Sequence, residues 1–434
     1  MQEQSKIYIK LILRDGYVHP SQDTPIAAFL YNYNTQTREY YNFAHPDVIS
    51  NSTFKQFKQL IVNKKVYVRN KKRNRYHLND IDLYDVNLFP FLKSGDIIET
   101  SDHLFTSHLR MTHHKIKDTN IIVPYVIHQN EFDDEIFVVK DFDSEKTDSY
   151  CYKFFNNIVS DTLFEVEKNG LQIDTKIFST HFDAKVRNNM VYSEYNIYNP
   201  TGRPSNRFDN VNYVALNKED GCRASFVSRY TNGKLLLVDF TGFHPYIVAN
   251  LTGYKVPDNE TVYEHLAKQY YGVDVVSKEL LGKSKKLTMV NLYGQISKQY
   301  IHIPYFTQTE ELKEKYWTTF IEKGYVKTPI YKRKITANHI SDPNKNKLFA
   351  YIIQATETEY GLNSLSNCLK YVSGKPITPI FYIYDSVVFD IADTVNQAEI
   401  NDLVNIIKNR RFKVKVYMGN NYNDLALVWS QTYL

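Results

Sequence analysis

The chain has 434 residues, 43% hydrophobic and 23% charged, which excludes a disordered protein and leaves room for two or three domains with substantial cores. Its 53 basic and 48 acidic residues give a formal charge of +5, a balance that admits a nucleic-acid partner without requiring one. Three cysteines without CxxC spacing (Cys151, Cys222, Cys368) speak against a disulfide framework or a zinc site. Together with the lack of an apolar leader or spanning segment, they predict a soluble, unexported protein in a reducing cytoplasm, with no membrane partner.

Residues 7–14, 26–31 and 38–43 read as strands separated by turn residues. The basic run from Lys64 to Arg75, interleaved with Val66, Tyr67, Val68 and Tyr76, reads as a solvated hairpin. Polar, acidic residues 141–148 mark a boundary, after which helical periodicity covers 152–168 and stops at Asn169-Gly170. From about residue 201 strands and helices alternate. Thr261-Val-Tyr-Glu264 is a capping box opening a helix that ends at Gly272, and Ser277 opens another that runs to about Tyr293. Thr307-Gln-Thr-Glu310 predicts a further capped helix stopping at Gly324. A long helix over 348–371, a hairpin at Asp385, an amphipathic helix over 396–409 and a strand over 412–418 follow, with no internal repeat.

Two aspartates stand where apolar strands stop. Asp239 closes Lys234-Leu-Leu-Leu-Val-Asp239, and Asp385 sits at the turn of Pro379-Ile-Phe-Tyr-Ile-Tyr384-Asp385-Ser386-Val-Val-Phe389. A carboxylate there is usually avoided unless something cationic neutralises it. Brought together on adjacent strands, the two can hold a pair of divalent metal ions, which suits in-line phosphoryl or nucleotidyl transfer. Ordinary strand-terminal residues are the plainer alternative. On the helix from Ser277, Lys285, Met289 and Tyr293 recur every four residues and share one face. Such a stripe offers a triphosphate a point charge and a base pair an apolar cover; a snorkelling lysine on an amphipathic helix is the plainer alternative. The tight turn 199–207 carries Arg203 and Arg207, suited to phosphate, and Gln354-Ala-Thr-Glu-Thr-Glu359 is a polar helical stretch able to read the minor-groove edge of a primer end.

In this order and spacing the segments resemble the family A DNA polymerases, the bacterial polymerase I type and its phage relatives, over about residues 155–430. Val238-Asp239-Phe-Thr-Gly-Phe-His244 looks like motif A, Lys285-Lys-Leu-Thr-Met289-Val-Asn-Leu-Tyr293-Gly294 like motif B, and Tyr384-Asp385-Ser386-Val-Val-Phe389 like motif C. Thr201-Gly202-Arg203 with Asn210-Val-Asn212 resembles the segment that contacts template and primer, and Ile353-Gln354-Ala resembles the glutamine helix before motif C.

The resemblance implies a mixed α/β fold, a right-hand palm and fingers with an N-terminal RNase H-like exonuclease-type domain. That domain would cover 1–150, a thumb stub 151–200, palm 201–253 and 346–434, and fingers 254–345. Asp239 and Asp385 would hold two Mg2+ ions, with Mn2+ as an alternative, and catalyse DNA-templated addition of dNTPs to a primer 3′-hydroxyl in phage replication in the host cytoplasm. Lys285, Met289, Tyr293 and His244 would line the nucleotide pocket. Arg203, Asn212, Gln354 and Tyr384 would contact the primer-template DNA.

This chain departs from the family pattern at several points. His244 stands in place of the usual motif A glutamate, Met289 in place of an aromatic, Ser386 in place of a glutamate, and Leu281 in place of an arginine that Lys283 or Lys286 would replace. Residues 175–200, spanning about 39 Å as one helix, are too few for two long antiparallel thumb helices. That predicts weak, salt-sensitive DNA binding unless a processivity partner supplies the grip. No Asp-x-Glu occurs in residues 1–60; Asp133-Asp-Glu135 and Asp143-Ser-Glu145 read as solvated loops, and Asp80, Asp82 and Asp85 as a remnant, which predicts an inactive exonuclease domain. A single-subunit RNA polymerase or primase, and a catalytically dead polymerase-like DNA-binding subunit, are the two other functions this pattern admits.

Overall fold

The computed structural model describes residues 5–15, 18–96, 123–142, 147–409 and 411–430. The chain divides into two units, Met1–Phe164 and Glu165–Leu434. The helical stretch that was expected to follow the boundary is Tyr150–Lys153, a π-helical segment Phe154–Val159, and Ser160–Asn169, so the division falls inside it. It ends, as its sequence predicts, at Gly170 with φ +61°.

In the first unit, strands β1 (Lys6–Leu13), β2 (Pro25–Asn32), β3 (Thr37–Asn42), β4 (Lys65–Val68) and β5 (Leu83–Asp85) form one sheet in the order β3-β2-β1-β4-β5. β1 pairs antiparallel with β2 and parallel with β4, the RNase H-like arrangement. A sheet covered on both faces needs apolar residues on both. Ile7, Ile9, Leu30 and Val66 pack with Phe57 and Ile61 of helix α1 (Phe54–Ile61), while Tyr8 and Phe29 meet Phe132 of helix α2 (Tyr125–Val139).

Two sequence expectations are corrected here. The basic run is no solvated hairpin: Lys65–Val68 is an inner strand, and the turn after it buries Lys71 and Lys72. Lys71 Nζ donates to the Asn156 carbonyl at 2.9 Å and pairs with Asp161 at 3.0 Å, partners far along the chain that no local pattern reveals. Nor is Asp133-Asp-Glu135 a solvated loop. It lies in α2, where Glu135 is buried and accepts hydrogen bonds from Tyr8 Oη (2.5 Å), Lys10 Nζ (2.9 Å) and Arg69 Nη1 (3.0 Å). Asp143-Ser-Glu145 lies outside the described residues.

The three aspartates read as a remnant are not gathered. Asp85 accepts the backbone amides of Asn70, Lys71 and Asn87, Asp80 pairs with Lys58 at 2.6 Å, and Asp82 accepts the Tyr84 hydroxyl at 3.0 Å. β1 itself carries Tyr8 and Lys10 toward Glu135 where a metal-binding strand would carry acids.

The second unit is built on an antiparallel sheet of β6 (Lys234–Phe240), β7 (Ile377–Ile383), β8 (Ser386–Ile391), β9 (Val414–Gly419) and β10 (Ala426–Ser430), in the order β7-β8-β6-β9-β10. Leu235, Ile380, Phe381 and Val388 fix one face in a core with Phe178, Tyr213 and Phe226. Between β6 and β7 come helices α3 (Phe243–Thr252), α4 (Val262–Tyr271), α5 (Lys278–Tyr293), α6 (Pro304–Lys323) and α7 (Lys345–Val372); α8 (Gln397–Lys408) joins β8 to β9.

Thr261 and Glu264 form the reciprocal capping box of α4, Gly272 stops it at φ +63°, and Ser277 caps α5. The box expected at Thr307–Glu310 does not form. Pro304 starts α6 a turn earlier, a position its fixed φ favours, so Thr307 is already interior and its hydroxyl donates to the Ile301 carbonyl at 2.6 Å. Residues 175–200 form one short helix, Thr175–His181, and two two-residue strands, Met190–Val191 and Tyr195–Asn196. No described helix is long and apolar enough to cross a membrane.

Candidate active site

β6 and β8 pair with Asp239 opposite Ser386, which brings Asp385, the residue before it, beside Asp239. The Phe240 amide donates to the Asp385 carbonyl at 2.8 Å and locks the two strand ends together. Burial, and then the charge of Asp385, push the Asp239 carboxyl up to about 7, while Lys415 and Lys285 act the other way. Asp385 is raised too, by burial and by Glu357. Lys415 stands directly opposite Asp239 on β9. Two carboxylates that repel each other are stabilised by any cation that enters between them, and hard carboxylate oxygens suit Mg2+ or Mn2+. The pair fits such ions; among the described residues no group of three or more His, Cys, Asp or Glu gathers to hold one.

Asp385 is presented by a two-residue loop, Tyr384-Asp385, between β7 and β8, with Ile383 paired to Ser386. Tyr384 adopts φ +52°, a conformation that costs a non-glycine residue free energy and clusters at functional sites. Its ring is not wasted: the Arg203 guanidinium lies over it, 4.7 Å from the centroid.

Arg203 leads into a hydrogen-bonded network. Its Nε donates to Glu357 Oε2 at 2.5 Å, and His244 Nε2 lies 2.9 Å from Glu357 Oε1. The other ring nitrogen of His244, Nδ1, faces the Tyr293 hydroxyl. Glu357 is 1% exposed. Burial works against its charge, but the His244 hydrogen bond and the Arg203 guanidinium overcome it and hold its carboxyl below the usual range. The helix reaches this position because Gly361, one turn on, packs against β7: a Cβ there would lie 2.5 Å from Tyr382 Oη.

The turn before Arg203 is held from behind. Arg333, 1% exposed, donates from Nη2 to the Pro200 carbonyl at 2.5 Å, and its Nη1 occupies the space a Cβ on Gly202 would need, 2.5 Å away. Gly202 also sits at φ +83°. Gly202→Ala is therefore expected to cost about 1–3 kcal/mol and to displace Arg203. Thermal unfolding and the primer-template Kd, measured together, check this; a variant unchanged in both would refute it.

The α5 stripe closes the cleft. Lys285 Nζ lies 5.7 Å from the Tyr263 ring centroid, the Tyr263 hydroxyl meets Met289 Sδ at 3.8 Å, and Tyr293 reaches His244. Burial and then Lys415 lower Lys285, while Asp239 pulls the other way. Tyr263 on α4 is pushed up to about 12 by burial and then by Asp385 and Asp239.

Among the residues singled out in sequence, the structure thus links Asp239, Asp385, Tyr384, Arg203, His244, Lys285, Met289 and Tyr293 through direct contacts and shared electrostatics. Gln354 stands one turn before Glu357 on α7 but takes no part in the network. Asn212 does not join it either; it lies at the end of a short strand, Val211–Asn212, its Oδ1 buried without a partner. Three residues of the cleft, Glu357, Lys415 and Tyr263, escaped the sequence reading. The signal for Glu357 was its spacing of four from Ile353 and eight from Phe349, an acid on an apolar helical stripe.

No protein-family model matches the chain, and no curated protein does. The fold is similar to that of the POL domain of Pol1 from M. smegmatis, solved in complex with DNA primer-template and dNTP. The likeness has a TM-score of 0.71 at 13% sequence identity, covering 98% of this chain and 97% of that one.

Proposed function

We propose that this protein is a DNA-templated DNA polymerase, with its active site at the Asp239–Asp385 pair. The observation that carries the proposal is the convergence of two mutually repelling carboxylates, Asp239 at a paired strand end and Asp385 in the adjoining turn, beside a helix stripe that carries Lys285. The fold likeness to a polymerase domain that binds primer-template and dNTP supports it.

Asp239 and Asp385 would hold two Mg2+ ions, whose part is to favour the attacking hydroxylate and to neutralise the leaving pyrophosphate. The chain's own groups do the rest. Lys285 brings a point charge to the triphosphate side of the cleft, where an incoming anion favours its charged form. Tyr263, Met289 and Tyr293 exclude water above the carboxylates, and Arg203, braced on Tyr384, offers its guanidinium to the primer strand. The family resemblance carried by motifs A, B and C agrees with these assignments.

Primer extension on a DNA template with Mg2+, comparing dNTPs with NTPs, tests the proposal. Incorporation of dNTPs is expected; preference for NTPs would favour the RNA polymerase or primase function, and no incorporation of either would refute polymerase activity. The same assay with a mismatched primer is expected to release no mononucleotide, because the first unit pairs its buried glutamates with Lys10 and Arg69. Short products are expected in the absence of a processivity partner.

A pH dependence follows from Asp239. A carboxyl raised to about 7 binds a proton more tightly folded than unfolded, so its ionisation removes stability as pH rises through about 7. Cation binding offsets that loss. The rise in Tm on adding Mg2+ is therefore expected to be larger at pH 8 than at pH 6, and equal shifts at the two pH values would count against the pair as the binding site.

A further inference from the structure

Glu357 belongs to none of the three polymerase motifs, yet it is bonded to two residues of the cleft. It is a buried carboxylate whose two oxygens are divided between two partners, Arg203 on Oε2 and His244 on Oε1. His244 Nε2 meets two groups of opposite kind, the Glu357 carboxylate, which can only accept, and Arg203 Nη2 at 2.9 Å, which can only donate, while Nδ1 meets the Tyr293 hydroxyl. One charge thus holds Arg203 and His244 together and, through His244, bears on the Tyr293 hydroxyl.

Those partners belong to different parts of the second unit. Arg203 rests on Tyr384, next to Asp385 in the β7–β8 turn, whereas Tyr293 is the last residue of α5, the helix that carries Lys285. Glu357 comes from another element, α7; it is bonded to Arg203 directly and reaches Tyr293 through His244 on α3. We infer that Glu357 is a positioning residue that couples the Arg203 side of the cleft to the α5 side, so that seating of the primer end and seating of the nucleotide reinforce each other. This rests on the polymerase function proposed above. It assigns Glu357 no contact with the reacting atoms; it acts through Arg203 and through His244.

A double-mutant cycle on single-nucleotide incorporation tests the coupling. Arg203→Lys alters one arm and Tyr293→Phe removes the hydroxyl from the other. In the otherwise wild-type chain their combined effect on kcat/KM is expected to depart from the product of the single effects by about tenfold, whereas in the Glu357→Gln background it is expected to depart by less than about twofold. A merely structural Glu357 would lower Tm and leave the cycle unchanged, and that result would overturn the inference. So would independent effects in the wild-type background, which can be measured even if Glu357→Gln fails to fold. Failure of the unmodified chain to incorporate any nucleotide would overturn the polymerase function and the coupling together; incorporation with an unchanged cycle would overturn the coupling alone.

Discussion

Asp385→Asn is expected to abolish nucleotide incorporation, by on the order of a thousandfold or more, while primer-template binding stays close to that of the unmodified protein. The amide keeps the shape of the side chain and the backbone bond from Phe240 to the residue 385 carbonyl, so the turn and the sheet persist. What disappears is one of the two negative charges that a divalent ion would bridge. A second consequence sharpens the test. Without metal, the two carboxylates raise each other's cost of ionisation, so removing one relieves the other, and the variant is expected to be at least as heat-stable as the parent in EDTA near pH 8. A loss of activity accompanied by a large fall in Tm would point to misfolding instead. Incorporation at the parental rate would end the case for this pair as the reacting centre, and would favour a DNA-binding subunit without catalysis.

The largest expected loss of stability comes from Asp390→Asn. Asp390, 1% exposed on β8, accepts the Ser228 hydroxyl at 2.5 Å and both the amide and Nε of Arg229 at 2.9 Å. Arg229 in turn donates to the Asn169 and Gly170 carbonyls, at 3.0 and 2.9 Å, and so satisfies the end of the Ser160–Asn169 helix. Neutralising the acid leaves a largely buried guanidinium without its counter-charge, which costs about 3–5 kcal/mol, with the lower end favoured because Arg229 keeps some solvent contact. For a unit of this size that corresponds to a fall in Tm of about 6–12 °C. Replacing both partners with apolar residues of similar volume is expected to recover much of the loss, because the cost lies in the unpaired charge. A single variant within a degree or two of the parent would show that the pair contributes little.

What could be read from the sequence is whatever depends on near neighbours in the chain. Thr261 and Glu264 satisfy each other's backbone amides three residues apart, so the α4 start needs no tertiary information. Asp239 and Asp385 stood out because an acid at the end of an apolar run contradicts its surroundings, and such contradictions concentrate at sites. Glu357, Glu135 and Lys71 contradict theirs as well, but the groups that neutralise them lie tens to hundreds of positions away. An isolated acid or base in a polar stretch therefore looked solvated. Thr307 failed for the opposite reason: its local pattern was sound, and a proline three residues upstream had already begun the helix. Asn212, which the motif match set among the DNA contacts, is half-buried in a small sheet apart from the cleft network.

The placement of β6 has a consequence for how the chain is made. Its two hydrogen-bonding neighbours, β8 and β9, are supplied only after nearly a third of the sequence has intervened, and loop closure of that length is slow compared with forming the helices between. On the ribosome, the acidic end of β6 must wait, unpaired, until β8 and β9 have emerged. A message broken before the β7–β8 hairpin would therefore leave the second unit without its site, its helices carrying an open apolar strand for chaperones and proteases to find.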